Sequence, residues 1–106
     1  MEVGGGSGGG GDLKQLHVGT PSSMTIDVGE PFEYLYVSMA YASYLCACEW
    51  DKSDASHWTK YYGSNAAQTY SLPQTTTSGF SSIDPTNGTF TLFTATVYSH
   101  VEVFYK

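Results

Sequence analysis

A chain of 106 residues has room for one domain, and four lysines, no arginine and ten carboxylates give it a formal charge of −6. Gripping phosphates needs a basic stripe with counterions to release, so nucleic acid is excluded as a partner, and anionic membrane surfaces are disfavoured for the same reason. No apolar run approaches the ~18 residues of a membrane span, and sixteen aromatic side chains (two Trp, nine Tyr, five Phe) in so lightly charged a chain suit exposed β-sheet and adhesive protein surfaces.

Residues 4–11, G-G-G-S-G-G-G-G, hold seven of the twelve glycines. Composition reads such a tract as a flexible linker or an appended tag. With only three residues ahead of it, it also reads as an arm that threads along a neighbour in an assembly. Met1-Glu2-Val3 is not followed by an apolar h-region, so no secretory signal is read. The chain therefore divides into 1–19, a glycine-rich arm or tag, and 20–106, a single β domain. Asp12–Gly19 (D-L-K-Q-L-H-V-G) is an arm or an edge strand.

Met24, Ile26 and Val28 alternate with Thr25 and Asp27, which predicts a half-buried strand. Gly29-Glu30-Pro31 turns into Phe32–Met39, rich in aromatic and β-branched residues. Tyr41–Trp50 predicts the next strand, with Tyr44, Cys46, Cys48 and Trp50 on one face. After a polar loop at 51–56, His57–Tyr62 predicts a short strand ended by Gly63-Ser64-Asn65. Residues 66–72 are weakly patterned and suit an edge, and 73–79 is loop. Asn87-Gly88 marks a hairpin of type I′, which needs φ > 0 at both central residues; Asp84-Pro85 adds a second turn former. Strand 89–97 is expected to be central. Phe93, Ala95, Val97, Val101, Val103 and Tyr105 share one phase, and a tight turn or a continuous strand at 98–100 fits equally well.

Cys46-Ala47-Cys48 sets two thiols on one side of a strand, where an i,i+2 bridge would be strained; both are read as buried, reduced side chains packed beside Trp50. The histidines at 17, 57 and 100 show no ligand spacing, so no metal site is read. Asp51, Asp54 and His57 share a loop as D-x-x-D-x-x-H, which reads as a solvated turn. No nucleophile comes with a base and an orienter, and no catalytic residue or cofactor is assigned. Asn87-Gly88-Thr89 fits a glycosylation sequon, relevant if the protein is secreted. Tyr34, Tyr36, Tyr41, Tyr44, Trp58, Tyr61, Tyr62, Tyr70 and Tyr98 exceed what one small core holds. Trp58, Tyr61, Tyr62 and Tyr41 are the expected interaction surface.

Six to eight short strands at roughly ten-residue spacing predict an antiparallel β-sandwich. The order resembles an immunoglobulin-like sandwich. The resemblance rests on an opening strand with the V-G-E-P turn (Val28–Pro31), a B-like strand after it, a C-like strand ending in Trp50, and D-P-T-N-G-T-F (Asp84–Phe90), which is similar to the family's tyrosine corner with Phe90 at the tyrosine position. It spans residues 22–106 and lacks the inter-sheet disulfide. The resemblance, the aromatic excess and the arm imply a non-enzymatic structural protein acting through protein–protein contacts. A virion coat or decoration protein, as a homo-oligomer or a component of a larger extracellular assembly, is the expectation. A cell-surface recognition module is the alternative.

Overall fold

The computed structural model describes residues 13–19, 25–41, 44–63, 66–93 and 100–106. The glycine tract and the 94–99 connection, with Tyr98, lie outside them. Within the described residues the strands are β1 (Lys14–Gly19), β2 (Thr25–Asp27), β3 (Tyr34–Tyr41), β4 (Tyr44–Asp51), β5 (His57–Tyr62), β6 (Gln68–Ser71), β7 (Gly79–Asp84), β8 (Thr89–Phe93) and β9 (His100–Tyr105). They form two antiparallel sheets, a six-stranded one in the order β1-β9-β3-β4-β5-β6 and a three-stranded one in the order β2-β8-β7.

Alternation in the sequence decides which side of each strand is dry, because successive side chains point to opposite faces. Leu35, Val37 and Met39 of β3 are fully buried. They lie opposite Trp50, Cys48 and Cys46 of β4 on one side and Tyr105, Val103 and Val101 of β9 on the other. The small sheet answers with Ile26, Phe90 and Ile83 in one row and Leu92 with Phe80 in the next. An edge-to-face aromatic contact joins the layers, Trp58 to Phe80 at 5.7 Å between ring centroids, and Phe80 meets Phe90 of the same small sheet in like fashion at 5.6 Å. Phe32, in the β2–β3 loop, packs edge-on against Trp50 at 5.8 Å. Cys46 and Cys48 are buried in this core and form no disulfide, and burial pushes the Cys48 thiol up.

The C-terminal third differs from its sequence pattern. β8 is described as far as Phe93, and β9 belongs to the other sheet, so the two strands do not pair with each other; the alternatives at 98–99 lie outside the described residues. β8 is central, as expected, but in the small sheet. Its buried phase is Phe90 and Leu92, whereas β9 buries Val101, Val103 and Tyr105. The hairpin before Thr89 also differs: Asp84 pairs with Thr89, leaving a four-residue loop at 85–88 in place of a two-residue type I′ turn. Asp84 shapes this loop, accepting from the Asn87 amide N–H at 3.3 Å and from Asn87 Nδ2 at 2.7 Å. The loop docks on the β2–β3 loop through Val28 N–H to Gly88 O (2.9 Å) and Phe32 N–H to Pro85 O (3.1 Å). β1, read as arm or edge strand, is an edge strand paired to β9. Its Lys14 and the Tyr105 hydroxyl both bond the Glu30 carboxylate, at 2.8 and 3.1 Å.

Two tests follow from the core. Gly79 sits at φ +143°, where a Cβ would lie 2.6 Å from Trp58 Cζ3 and 3.0 Å from Cys48 Sγ. Gly79→Ala combines overpacking of ~1–3 kcal/mol with backbone strain of ~1–2 kcal/mol. Gly63→Ala, at φ +56° with nothing within 4 Å, pays only the strain, so the Gly79 variant has the lower urea midpoint at unchanged slope. The two tryptophans make the second test. Trp50 Nε1 donates to Ala55 O at 3.0 Å, while Trp58 Nε1 is buried without a partner. Trp50→Phe therefore costs about 1 kcal/mol more than Trp58→Phe in the same denaturation assay.

Candidate functional site

The small sheet covers one face of the large sheet and leaves the other open. The alternate phase of each large-sheet strand points there: Gln15 and His17 on β1, His100, Glu102 and Phe104 on β9, and Tyr34, Tyr36, Ser38 and Ala40 on β3. Leu45, Ala47 and Glu49 of β4 and Tyr61 of β5 continue it. The register sets Tyr36 between Phe104 and Glu49, Ser38 between Glu102 and Ala47, and Ala47 beside Tyr61. This outer face is apolar for a wet surface. Tyr36 and Phe104 meet edge-on at 6.2 Å, and Leu13, Tyr34, Tyr36 and Phe104 line a shallow apolar groove of about 280 Å³. Leu45 is 62% exposed.

Two carboxylates stand among these side chains, and each is held by its neighbours. Glu49 accepts from the Tyr34 hydroxyl through Oε2 and from the Tyr61 hydroxyl through Oε1, both at 2.6 Å. The Glu49 bond, with lesser desolvation, pushes the Tyr61 hydroxyl up to about 12. Tyr34 is raised further, by burial first and then by the bond to Glu49. Glu102 accepts from Gln15 Nε2 at 2.8 Å. Its other oxygen meets His17 Nδ1 in a very short contact and His100 Nε2 at 3.1 Å. The Gln15 bond, then that of His17, holds the Glu102 carboxyl below its usual range.

The expected surface of Trp58, Tyr61, Tyr62 and Tyr41 is not one patch. Trp58 is 1% exposed, stacked on Tyr70 at 5.0 Å and covered by Phe80, so it belongs to the core. Tyr61 is exposed on the outer face, but Tyr62, its neighbour on β5, points to the opposite side. There Lys60 Nζ lies 5.9 Å from the Tyr62 ring centroid. The Tyr41 side chain lies outside the described residues. Asn87 is exposed on its loop and bonded to Asp84.

The D-x-x-D-x-x-H loop behaves as a turn. Asp51 caps the 3-10 turn at Lys52–Asp54 by accepting from Ser53 N–H at 2.9 Å, and Asp54 pairs with His57 at 2.9 Å. The histidines that do converge are 17 and 100. Their ring centroids are 5.2 Å apart, on strands from opposite ends of the chain. Spacing within the sequence could not show this; the one local signal is that His100 and Glu102 share a phase on a predicted strand. A deeper depression of about 460 Å³ lies at one end of the sandwich, among Phe32, Glu33, Lys52, Pro85 and Lys106.

Comparison of the chain with protein-family models, with curated proteins and with solved structures yields no match.

The tyrosine–carboxylate bonds predict a signature at high pH. A tyrosine whose pKa is higher in the folded state stabilises the fold fully below the unfolded value and loses that contribution as pH rises through the folded one. For Tyr61 that window runs from about 10 to about 12. Spectrophotometric titration of the native protein therefore shows late-ionising tyrosines, and Glu49→Ala moves Tyr61 back toward 10.

Proposed function

We propose that this protein is a non-enzymatic structural protein that acts by packing the outer face of its six-stranded sheet against other protein subunits. The observation that carries the reading is that face itself. Tyr34, Tyr36, Phe104, Tyr61 and Leu45 put apolar area on the open face of the sheet, and the two carboxylates among them, Glu49 and Glu102, already hold hydrogen bonds. Aromatic side chains with few rotatable bonds supply contact area at low entropic cost. A surface whose carboxylates are already bonded loses less on drying than one with free charges. The glycine-rich start of the sequence fits an arm for a neighbouring subunit. A coat or decoration protein of a virion or comparable extracellular assembly, built from copies of itself, is the class we favour.

The strand pairing supports an immunoglobulin-like topology for this sandwich. On this reading β2, β8 and β7 correspond to strands B, E and D, and β9, β3, β4 and β5 to F, C, C′ and C″; the strand ending in Trp50 then corresponds to C′ rather than C, and Asp84–Phe90 lies between D and E rather than at the tyrosine corner. β1 then stands beside F, where the family's last strand would lie. Ile26 on β2 lies in the core cluster with Val101 and Val103 of β9, which on this reading stand where members of the family carry the inter-sheet disulfide.

Light scattering and sedimentation velocity on the full chain test the proposal. Association that grows with concentration and is abolished by Tyr36→Asp or Phe104→Asp, at unchanged melting temperature, is the expected result. Deleting residues 1–11 reports the arm's share. A wild-type chain that stays monomeric at every concentration, and is glycosylated at Asn87 when secreted, would favour a cell-surface recognition module instead.

A further inference from the structure

We infer that His17, His100 and Glu102 form a binding site for a divalent transition-metal ion of the zinc class, bridging the seam between β1 and β9. The inference does not depend on the assembly reading. His17 and Glu102 are directly opposed in the antiparallel register, and His100 precedes Glu102 by two residues on the same outward phase. Each of the three offers one ligand atom, and these atoms lie within 4.8 Å of one another. Tetrahedral coordination with bonds of ~2.0–2.2 Å sets ligand atoms about 3.3 Å apart. Side-chain rotations of the order of an ångström reach that geometry while the paired backbones stay in place.

The donor set selects the ion. Two imidazoles and one carboxylate suit zinc and its first-row neighbours, whereas calcium and magnesium prefer an all-oxygen shell. Gln15 supplies the second observation. Its amide holds Glu102 Oε1 at 2.8 Å, which leaves Oε2 turned to the imidazoles, as the outer shell of a metal site orients a ligating carboxylate. Both imidazoles are exposed, so an ion reaches the site from solution and keeps its outward position for water. Ser38 and Ala40 of β3, opposite Glu102 and His100, add no charge to compete with it. β1 is an edge strand whose one sheet neighbour is β9. An ion held by both strands fastens that edge.

The test is calorimetric titration of Zn²⁺ into the full chain, with Co²⁺ as an absorbing substitute. One ion per chain is expected, together with a rise in melting temperature and slower amide exchange in β1. His17→Ala and His100→Ala each weaken binding by about 100-fold or more, and Gln15→Ala by roughly tenfold. His57→Ala leaves binding unchanged. His17→Gln and His100→Gln, which keep side-chain volume, serve alongside, and equal melting temperatures without metal verify their fold. Zn²⁺ binding that is equally weak in wild type and the His17→Ala/His100→Ala double variant overturns the inference, as does binding that follows His57.

Discussion

The two sheets meet on Trp58. Its indole lies between Tyr70 of the edge strand and Phe80 of the small sheet, at 5.0 and 5.7 Å between ring centroids. The backbone of Gly79 passes so close above it that a Cβ would overlap the ring. Burying a tryptophan removes ~150–250 Å² from water, worth up to about 4–6 kcal/mol on an extended-chain reference. That is comparable to the whole net stability of a small domain. From this contact the rest is arranged. Phe80 passes the packing on to Phe90, Phe90 pairs with Ile26 and Ile83, and the row closes the small sheet over β3, β4 and β9. A sheet of three strands cannot bury both faces of one of six, so the opposite face of the large sheet is left open.

That geometry explains how much of the molecule could be read from the chain. Alternation identified most of the strands and the residues that share a side, because side-chain direction follows from backbone geometry alone. The buried side of β4 was legible in Cys46, Cys48 and Trp50, whereas β3 was legible as a strand but not in which side, that of Leu35, Val37 and Met39, would be dry. Trp58 was not legible, since alternation sets it with Tyr62 and against Tyr61 without saying which side another sheet will cover. The shared phase of Phe93 and Val101 misled for a related reason. A pattern continued through 94–99 looks the same whether the chain runs on or crosses to a second sheet. The convergence of His17 and His100 depends on the pairing of β1 with β9, a contact between the two ends of the domain that no local window contains.

The outer face also shows how a chain with ten carboxylates, four lysines and no arginine satisfies its acids. Glu49 is bonded by two tyrosine hydroxyls, and Glu102 by an amide and two imidazoles. Glu30 takes one lysine and one tyrosine. Tyrosine hydroxyls and a side-chain amide thus do part of what arginine does elsewhere. Tyr34 and Tyr61 each serve twice, the ring covering the sheet and the hydroxyl holding Glu49. A face built this way keeps its negative charge but spends it internally, which sets it apart from an acidic surface facing water.

These arrangements also differ in how a change of conditions reaches them. The Tyr34–Glu49–Tyr61 group joins β3, β4 and β5, strands already bound to neighbours on both sides, so losing its bonds alters the surface more than the fold. The Glu102 group joins β9 to β1, and among the described residues β1 pairs in its sheet with β9 alone. Beyond the backbone ladder, Leu16 and Val18 pack on the core, and Lys14 to Glu30 and Gln15 and His17 to Glu102 add polar ties. These ties lie at the exposed margin, where ion pairs are weak and screened by salt. The N-terminal edge therefore combines the apolar packing of Leu16 and Val18 against the core with polar contacts that solution conditions can strengthen or remove, while the core beneath Trp58 is indifferent to them. Any function that requires the start of the chain to move, or to be fixed in place, acts at that seam.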